Sequence, residues 1–277
     1  MNPAVLHDGR PCTAQSAHSR ALHYGDGVFR TMLWRDAAVV DWPLHRDKLF
    51  ADCAALRLEP PTEREVLDDL QRVAAGEQMQ VLKLIVARRA QRRGYAPQTR
   101  ASERWVFAYP VPAVQAADYR SGIVAAVSEV TLSEQVLLAG VKHLNRLDQV
   151  LAADGWAQEI GEALMRRGDG AVICGTRSNL FVVRSGVLLT PTLDRCGVAG
   201  IMRRKILDCA RGMNIPIRET ELLLSDVLSA DEAFVCNALI GIWPLRRLQT
   251  REWSAPGALT RRLMHATAHP LVLEHLR

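Results

Sequence analysis

The chain has 277 residues, 48% of them apolar and 23% charged, which suits one large core or two modest ones and excludes a disordered chain. Its first residues, MNPAVLHDGRPC, carry no basic n-region or apolar h-region, and no apolar run reaches the roughly 20 residues of a membrane-spanning helix, so a cytoplasmic protein with no membrane partner is expected. The net charge of +5 suits an anionic ligand. The densest basic run, ARRAQRRGY with Arg88, Arg89, Arg92 and Arg93, lacks the aromatic spacing and flanking motifs of a nucleic-acid binder, so no nucleic-acid partner is expected.

In chain order, 43–57 is predicted to be a helix: Pro43 suits its first turn, and Leu49, Cys53 and Leu56 share a stripe. A second helix is predicted over 62–75, opened by the capping box Thr62-Glu63-Arg64-Glu65, with Val66, Leu70, Val73 and Ala74 on one face. VLKLIVA (81–87) and RWVFAYP (104–110) read as strands. The stretch 111–120, with its prolines, reads as a linker. Beyond it come a strand over 122–130, a helix over 145–160 interrupted by Gly155, and hairpins turning at 167–170 and 184–186. A helix over 200–213 carries Met202, Ile206, Cys209 and Met213 on one stripe, and IPIRETEL and EAFVCNAL read as strands around a helical turn near 225–228. The pattern predicts an α/β (α+β) protein of two domains, 1–110 and 121–277.

Six scattered cysteines (Cys12, Cys53, Cys174, Cys196, Cys209 and Cys236) form no C-x-x-C pair and match no histidine spacing, so free thiols and no metal site are expected. G-x-S-x-G, P-loop, G-x-G-x-x-G and H-E-x-x-H motifs are absent. Two quieter features remain. GVAGIMRRK sets small residues before a helix N-terminus, where unpaired N–H groups and the helix dipole favour an anion, although many helices begin after glycine for purely structural reasons. Lys142 lies among apolar residues in LLAGVKHLNRLDQVL, and such surroundings favour a neutral, nucleophilic amine over a solvated ammonium. The residues alone give an anion site and a candidate amine, without a substrate.

Four stretches, ALHYGDGVF (21–29), AGVKHLNRLDQVLA (139–152), SNLF…LLTP…VAGIMR (178–203) and ADEAFVCNAL (230–239), occur in an order that resembles the class IV aminotransferase-like family. That resemblance spans essentially the whole chain. It implies a two-domain fold type IV architecture like that of D-amino acid aminotransferases, a homodimer, and pyridoxal 5'-phosphate (PLP) as cofactor. Lys142 matches the family's Schiff-base lysine. Ile201 and Met202 match the phosphate cradle, with Asn237 and Ala238 as its second wall, so that the larger domain is expected to carry lysine and cradle together. Tyr24 matches a tyrosine at the active-site face.

Two positions depart from the family pattern. The phosphate-gripping arginine after H-x-x is Lys48 here, a point charge without the bidentate fork. The glutamate of E-x-x-x-x-N-[LI]-F, which protonates the pyridine nitrogen, is Cys174. Two readings of position 174 stay open: a thiol at the ring nitrogen, making a weaker electron sink, or a small core residue with Glu162 or water serving the nitrogen.

KHLNRL and CNAL are similar to the family's lyase branch, which implies elimination of pyruvate from 4-amino-4-deoxychorismate to leave 4-aminobenzoate. For that dicarboxylate substrate, Arg88 and Arg93 are the candidate cations and Tyr95 a candidate wall. A branched-chain or D-amino acid transaminase, and a degenerate member that only binds a ligand, are the alternatives.

Overall fold

The computed structural model describes residues 5–12, 18–74, 76 and 78–276. Its contacts divide the chain into two compact units, Met1–Pro112 with Val141–Asn145, and Ala113–Gly140 with Arg146–Arg277.

The first unit is built on a six-stranded sheet: β1 (Val5–His7), β2 (Arg10–Pro11), β3 (Gly27–Arg35), β4 (Ala38–Val39), β5 (Gln80–Arg88) and β6 (Ser102–Tyr109), ordered β2-β1-β6-β5-β3-β4. Its helices are α1 (Arg20–Tyr24), α2 (Trp42–Ala55) and α3 (Glu63–Val73). α2 carries Pro43 in its first turn, and α3 opens on the expected capping box, with Thr62 and Glu65 each taking the other's main-chain N–H, a device contributing about 1 kcal/mol. Val66, Leu70, Val73 and Ala74 join Leu49, Cys53, Val28, Met32 and Leu84 in one buried cluster. The last residue of the expected second helix, 75, lies outside the described residues.

β3 carries a charge into this core. Its alternation buries Val28, Arg30 and Met32, while Phe29 and Thr31 stay half-buried. An arginine on the inward parity of a strand must find its counter-charge inside the fold.

The second unit has a nine-stranded sheet: β7 (Ile123–Thr131), β8 (Ile160–Arg166), β9 (Val172–Gly175), β10 (Asn179–Arg184), β11 (Val187–Pro191), β12 (Ile217–Thr220), β13 (Glu232–Asn237), β14 (Gly241–Leu248) and β15 (Arg251–Glu252). The order is β12-β11-β10-β13-β14-β7-β8-β9, with β15 on β14, and pairing of β9 with β10 through Cys174 and Asn179 closes a circuit. Both expected hairpins form, β8–β9 and β10–β11. Six helices accompany the sheet: α4 (Ala116–Arg120), α5 (Leu147–Ala153), α6 (Ile201–Gly212), α7 (Leu224–Leu228), α8 (Ala258–Ala266) and α9 (Pro270–Leu276). Stacked Phe181 and Phe234, 5.1 Å between ring centres, lie in its core.

Three expectations need correction. The linker stretch is only partly a linker, because residues 116–120 form α4 and bury Tyr119 completely. The helix expected over 145–160 is only Leu147–Ala153, since Asp154 turns extended and Gly155 adopts φ +69°, a conformation glycine enters without a Cβ clash. Lys142 belongs to the first unit, not the second. Its segment is stitched to β3, with Phe29 N–H donating to Lys142 O at 3.0 Å and Leu144 N–H donating to Gly27 O at 3.0 Å.

Candidate active site

The first unit gathers a buried polar cluster around one carboxylate. Asp52, 1% exposed on α2, accepts from the Lys142 main-chain N–H at 3.2 Å through Oδ2. Oδ2 also accepts from Arg30 Nη2, and Oδ1 accepts from Lys48 Nζ four residues back on the same helix. The half-buried Lys142 places its Nζ 4.2 Å from the centre of the Phe29 ring. Asp52 is the carboxylate that meets Arg30 and Lys48, and His45 is buried, its imidazole pushed down to about 3, first by burial and then by the charges of Arg30 and Lys142. Burial and the same two charges bring the Lys48 ammonium down to about 7, against the attraction of Asp52. Among the described residues, Arg30 Nε and His45 Nδ1 are buried without a partner. A desolvated surplus of positive charge is stabilised by an anion, and Lys48 is the member expected to bind phosphate.

Four residues named for the substrate side also fall in this unit. The Tyr24 hydroxyl accepts from Gly94 N–H at 3.0 Å, and its ring meets Tyr95 edge-on at 5.6 Å. Tyr95 is 88% exposed and Arg93 beside it is exposed. Arg20, buried, ties this loop down through Gly94 O and Tyr95 O and stacks on Tyr24. Arg88 does not belong with them. Its guanidinium is buried, pairs with Asp26 at 2.9 Å, and donates to the carbonyls of Leu56, Arg57 and Thr99. With its donors committed to holding the fold, it is a structural cation and not a substrate ligand.

The second unit carries the other expected residues. Gly200 N-caps α6, and Arg204 N–H returns to Gly200 O, so the first-turn amides of Ile201 and Met202 precede the helical ladder. Asn179 braces this terminus: its Oδ1 accepts from Gly200 N–H at 3.1 Å and its Nδ2 donates to Val198 O at 2.8 Å. A Cβ at position 200 would stand 2.4 Å from that Oδ1, so a side chain there would displace the brace. Asn237 and Ala238 begin the β13–β14 turn. The Asn237 side chain is spent on it, accepting from Leu239 and Ile240 N–H and donating to Arg177 O, so only its main chain remains for a ligand.

Cys174 is 6% exposed and packs with Met165, Ile173 and Cys196, its thiol pushed up to about 12 by burial and then by Glu162. The partly buried guanidinium of Arg146 acts on it in the opposite sense. Glu162, 1% exposed, is surrounded by neutral donors: Thr176 N–H at 2.9 Å, the Thr176 hydroxyl at 2.6 Å, the Ser178 hydroxyl at 2.6 Å and Ala163 N–H at 3.0 Å. A Cβ on Gly175 would stand 2.5 Å from the Glu162 carboxyl carbon. Three of these donors meet Oε1 and the Ser178 hydroxyl meets Oε2, so Glu162 is held in place by neutral groups of its own unit.

In the first unit a half-buried amine stands beside a cationic cluster, and in the second a braced helix N-terminus presents its first-turn amides; taken each by itself, they are features that an amine-reactive aldehyde and a phosphate use. The Amino-transferase class IV family model matches residues 27–248, and the chain belongs to that family, whose members use PLP.

Among individual relatives, the chain is 33% identical over 261 residues to the aminodeoxychorismate lyase of Vibrio harveyi, covering 92% of this chain and 96% of that one. It is similar to the crystal structure of 4-amino-4-deoxychorismate lyase from Pseudomonas aeruginosa, with TM-score 0.90 and 37% identity over 97% of this chain and 99% of that one. A branched-chain aminotransferase from Thermoproteus uzoniensis shares the fold, with TM-score 0.85 at 22% identity over 98% of this chain and 95% of that one. Among the described residues no helix is long and apolar enough to cross a membrane, and no group of three or more His, Cys, Asp or Glu side chains is placed to hold a metal ion.

Proposed function

We propose that this chain is a PLP-dependent carbon–oxygen lyase that converts 4-amino-4-deoxychorismate to 4-aminobenzoate and pyruvate. The observation that carries the reading is the likeness to two lyases over more than nine-tenths of the chain, together with an anchored Lys142 beside a cationic cluster.

When bound, PLP supplies an aldehyde that condenses with amines and a ring that withdraws electrons from the carbon next to them. Lys142 would hold the cofactor through its amine and, as a neutral amine, would take the proton from the amine-bearing ring carbon of the substrate. Breaking the neighbouring carbon–oxygen bond carries the electrons away with the enolpyruvyl group, which takes up a proton as pyruvate while the ring becomes aromatic. The amides of Ile201 and Met202, the main chain of Asn237 and Ala238, and the Lys48 ammonium are the proposed phosphate ligands. Arg93 is the proposed carboxylate ligand, with Tyr24 and Tyr95 as the aromatic wall.

Cys174 fits this chemistry. If Cys174 stands at the pyridine nitrogen, a buried neutral thiol would not hold a proton there as a carboxylate would, and the ring would be a modest electron sink. Elimination tolerates that because the charge departs with the leaving group. Transamination, the alternative favoured by likeness to a D-alanine aminotransferase of Listeria monocytogenes at 27% identity over 249 residues, needs the stronger sink. Cys174→Glu is expected to raise any side transamination more than elimination; an equal rise in both would contradict the argument.

A homodimer in the cytoplasm completes the proposal. On α5, Leu147, Val150 and Leu151, spaced i, i+3, i+4, are 73%, 60% and 60% exposed, an apolar stripe suited to a second copy. The six free cysteines suit a reducing compartment. Incubating the purified protein with PLP and enzymatically generated aminodeoxychorismate tests the activity. Equal amounts of 4-aminobenzoate and pyruvate are expected; amino-group exchange between an amino acid and a keto acid without them would favour the transaminase.

A further inference from the structure

We propose that Asp52 is a positioning residue for the cofactor lysine, fixing the main chain of Lys142 with the same carboxylate that gathers Arg30 and Lys48. This rests on the reading of Lys142 as the residue that holds PLP, and adds to it a residue whose place in the sequence, 90 positions away, gives no hint of the connection.

An aspartate serving only as the counter-ion of a buried arginine would be satisfied by Arg30. Here the same carboxylate has two further tasks. Oδ2 takes the Lys142 N–H and Oδ1 takes the Lys48 ammonium. The Lys142 peptide is therefore held from two directions, its N–H by α2 and its C=O by the Phe29 N–H of β3. Only the side chain, lying over the Phe29 ring, is left to move. An amine whose backbone is fixed beforehand loses less freedom when it forms or re-forms its bond to the cofactor.

Charge works in the same direction. Asp52 takes its hydrogen bonds from Arg30 of β3, Lys48 of α2 and the Lys142 main chain, and the charges of Arg30 and Lys142 act on Lys48 and His45 while that of Arg30 acts on Cys53. His45 and the Cys53 thiol are neutral near pH 7, with pKa values of about 3 and about 12. The Arg30 guanidinium, the Lys48 ammonium and the Lys142 main-chain N–H therefore share one carboxylate. Without it the surplus on Lys48 grows, and its ammonium gives up its proton more readily, just where a phosphate would want it charged.

The test follows cofactor attachment and not turnover. Cofactor-free wild type, Asp52→Ala, Asp52→Asn and, as a control for lost stability, Leu70→Ala in the core of α3 are mixed with PLP or with pyridoxal, which lacks the phosphate. Attachment is read from absorbance and from borohydride trapping at Lys142, with thermal unfolding measured alongside. Asp52→Ala is expected to attach PLP at least tenfold more slowly than wild type, whereas Leu70→Ala keeps the wild-type rate despite a lowered melting temperature. Asp52→Asn, whose side-chain oxygen can still accept from the Lys142 N–H, is expected to recover most of the rate. It should also move the pH inflection of PLP binding, relative to pyridoxal, to lower pH than in wild type. An unchanged rate in Asp52→Ala, an equal loss in Leu70→Ala, or an unmoved inflection in Asp52→Asn would overturn the proposal. Should Asp52→Ala fail to fold, the Asn variant still decides through its inflection. Wild type that never attaches PLP to Lys142 would instead remove the functional reading beneath it, and a holoenzyme that attaches PLP but makes no 4-aminobenzoate would remove only the choice of reaction.

Discussion

Two buried carboxylates, one in each unit, are satisfied in opposite ways. In the first unit Asp52 gathers Arg30, Lys48 and the Lys142 main chain, more than one cation to a single carboxylate. In the second, Glu162 has neutral partners only, two hydroxyls and two main-chain amides, and needs no cation. The Glu162 arrangement is closed in charge: its hydrogen bonds come from neutral groups of the fold, and among the described residues no cation is gathered beside it. The Asp52 arrangement is open, because its surplus charge and its orphaned Arg30 and His45 nitrogens are not balanced by protein alone. A buried charge that the fold satisfies completely reports on stability; one that it leaves partly unbalanced points to a ligand.

The contrast can be broken most decisively at its reactive member. Lys142→Arg keeps a cation and is expected to lower 4-aminobenzoate formation by about 10³-fold or more, since it removes both the covalent link and the base, while leaving the melting temperature nearly unchanged. A large loss of stability with activity retained would reverse the assignment of open and closed sites. At the closed site the expectation is the opposite. Glu162→Ala strands Thr176 and Ser178 donors and should cost about 2–4 kcal/mol in denaturant unfolding, and Gly175→Ala should destabilise for the same reason, its new methyl displacing Glu162. Neither should alter the relative affinity for PLP and pyridoxal.

Lys48→Met sharpens the comparison further. It should weaken PLP about tenfold, as expected for one charge-assisted phosphate contact, and leave pyridoxal unaffected in parallel titrations. Its pH behaviour has a definite sign. The folded protein holds Lys48 at about 7 against an ordinary 10.5, so between those values the unfolded chain binds the extra proton. Stability of the cofactor-free protein therefore rises with pH across that window, and Lys48→Met should flatten the rise measured by urea unfolding. The smallest effect is expected at Arg93→Ala, a few-fold increase in KM with kcat and melting temperature nearly unchanged, because an exposed cation contributes at most about 1 kcal/mol.

Much of the fold was legible in the sequence. Capping box and hairpin turns are local signals, set by neighbouring residues, and form where expected, whereas of the expected α6 stripe Met202 and Ile206 are buried and Cys209 and Met213 only half-buried. The site residues came from motif resemblance, and several charge roles escaped it. Arg88 reads as a candidate substrate cation in ARRAQRRGY, but β5 runs one residue further than the apolar pattern suggests and carries it inward to Asp26 and three carbonyls. Arg30 and Asp52 went unremarked although both left a trace. Arg30 stands on the apolar parity of GVFRTMLW, and Asp52 follows Lys48 by four positions, the spacing of a helical ion pair. The bond from Asp52 to the Lys142 N–H leaves no trace, because it depends on the 141–145 segment adding to β3, a long-range pairing that periodicity does not encode.

The sequence contains four lysines, Lys48, Lys83, Lys142 and Lys205, which makes one measurement unusually direct. Borohydride reduction of the PLP-loaded protein, followed by peptide mapping, should place the phosphopyridoxyl mass on Lys142 alone, at about one per chain. A label on any of the other three, or no label at all, would contradict the account.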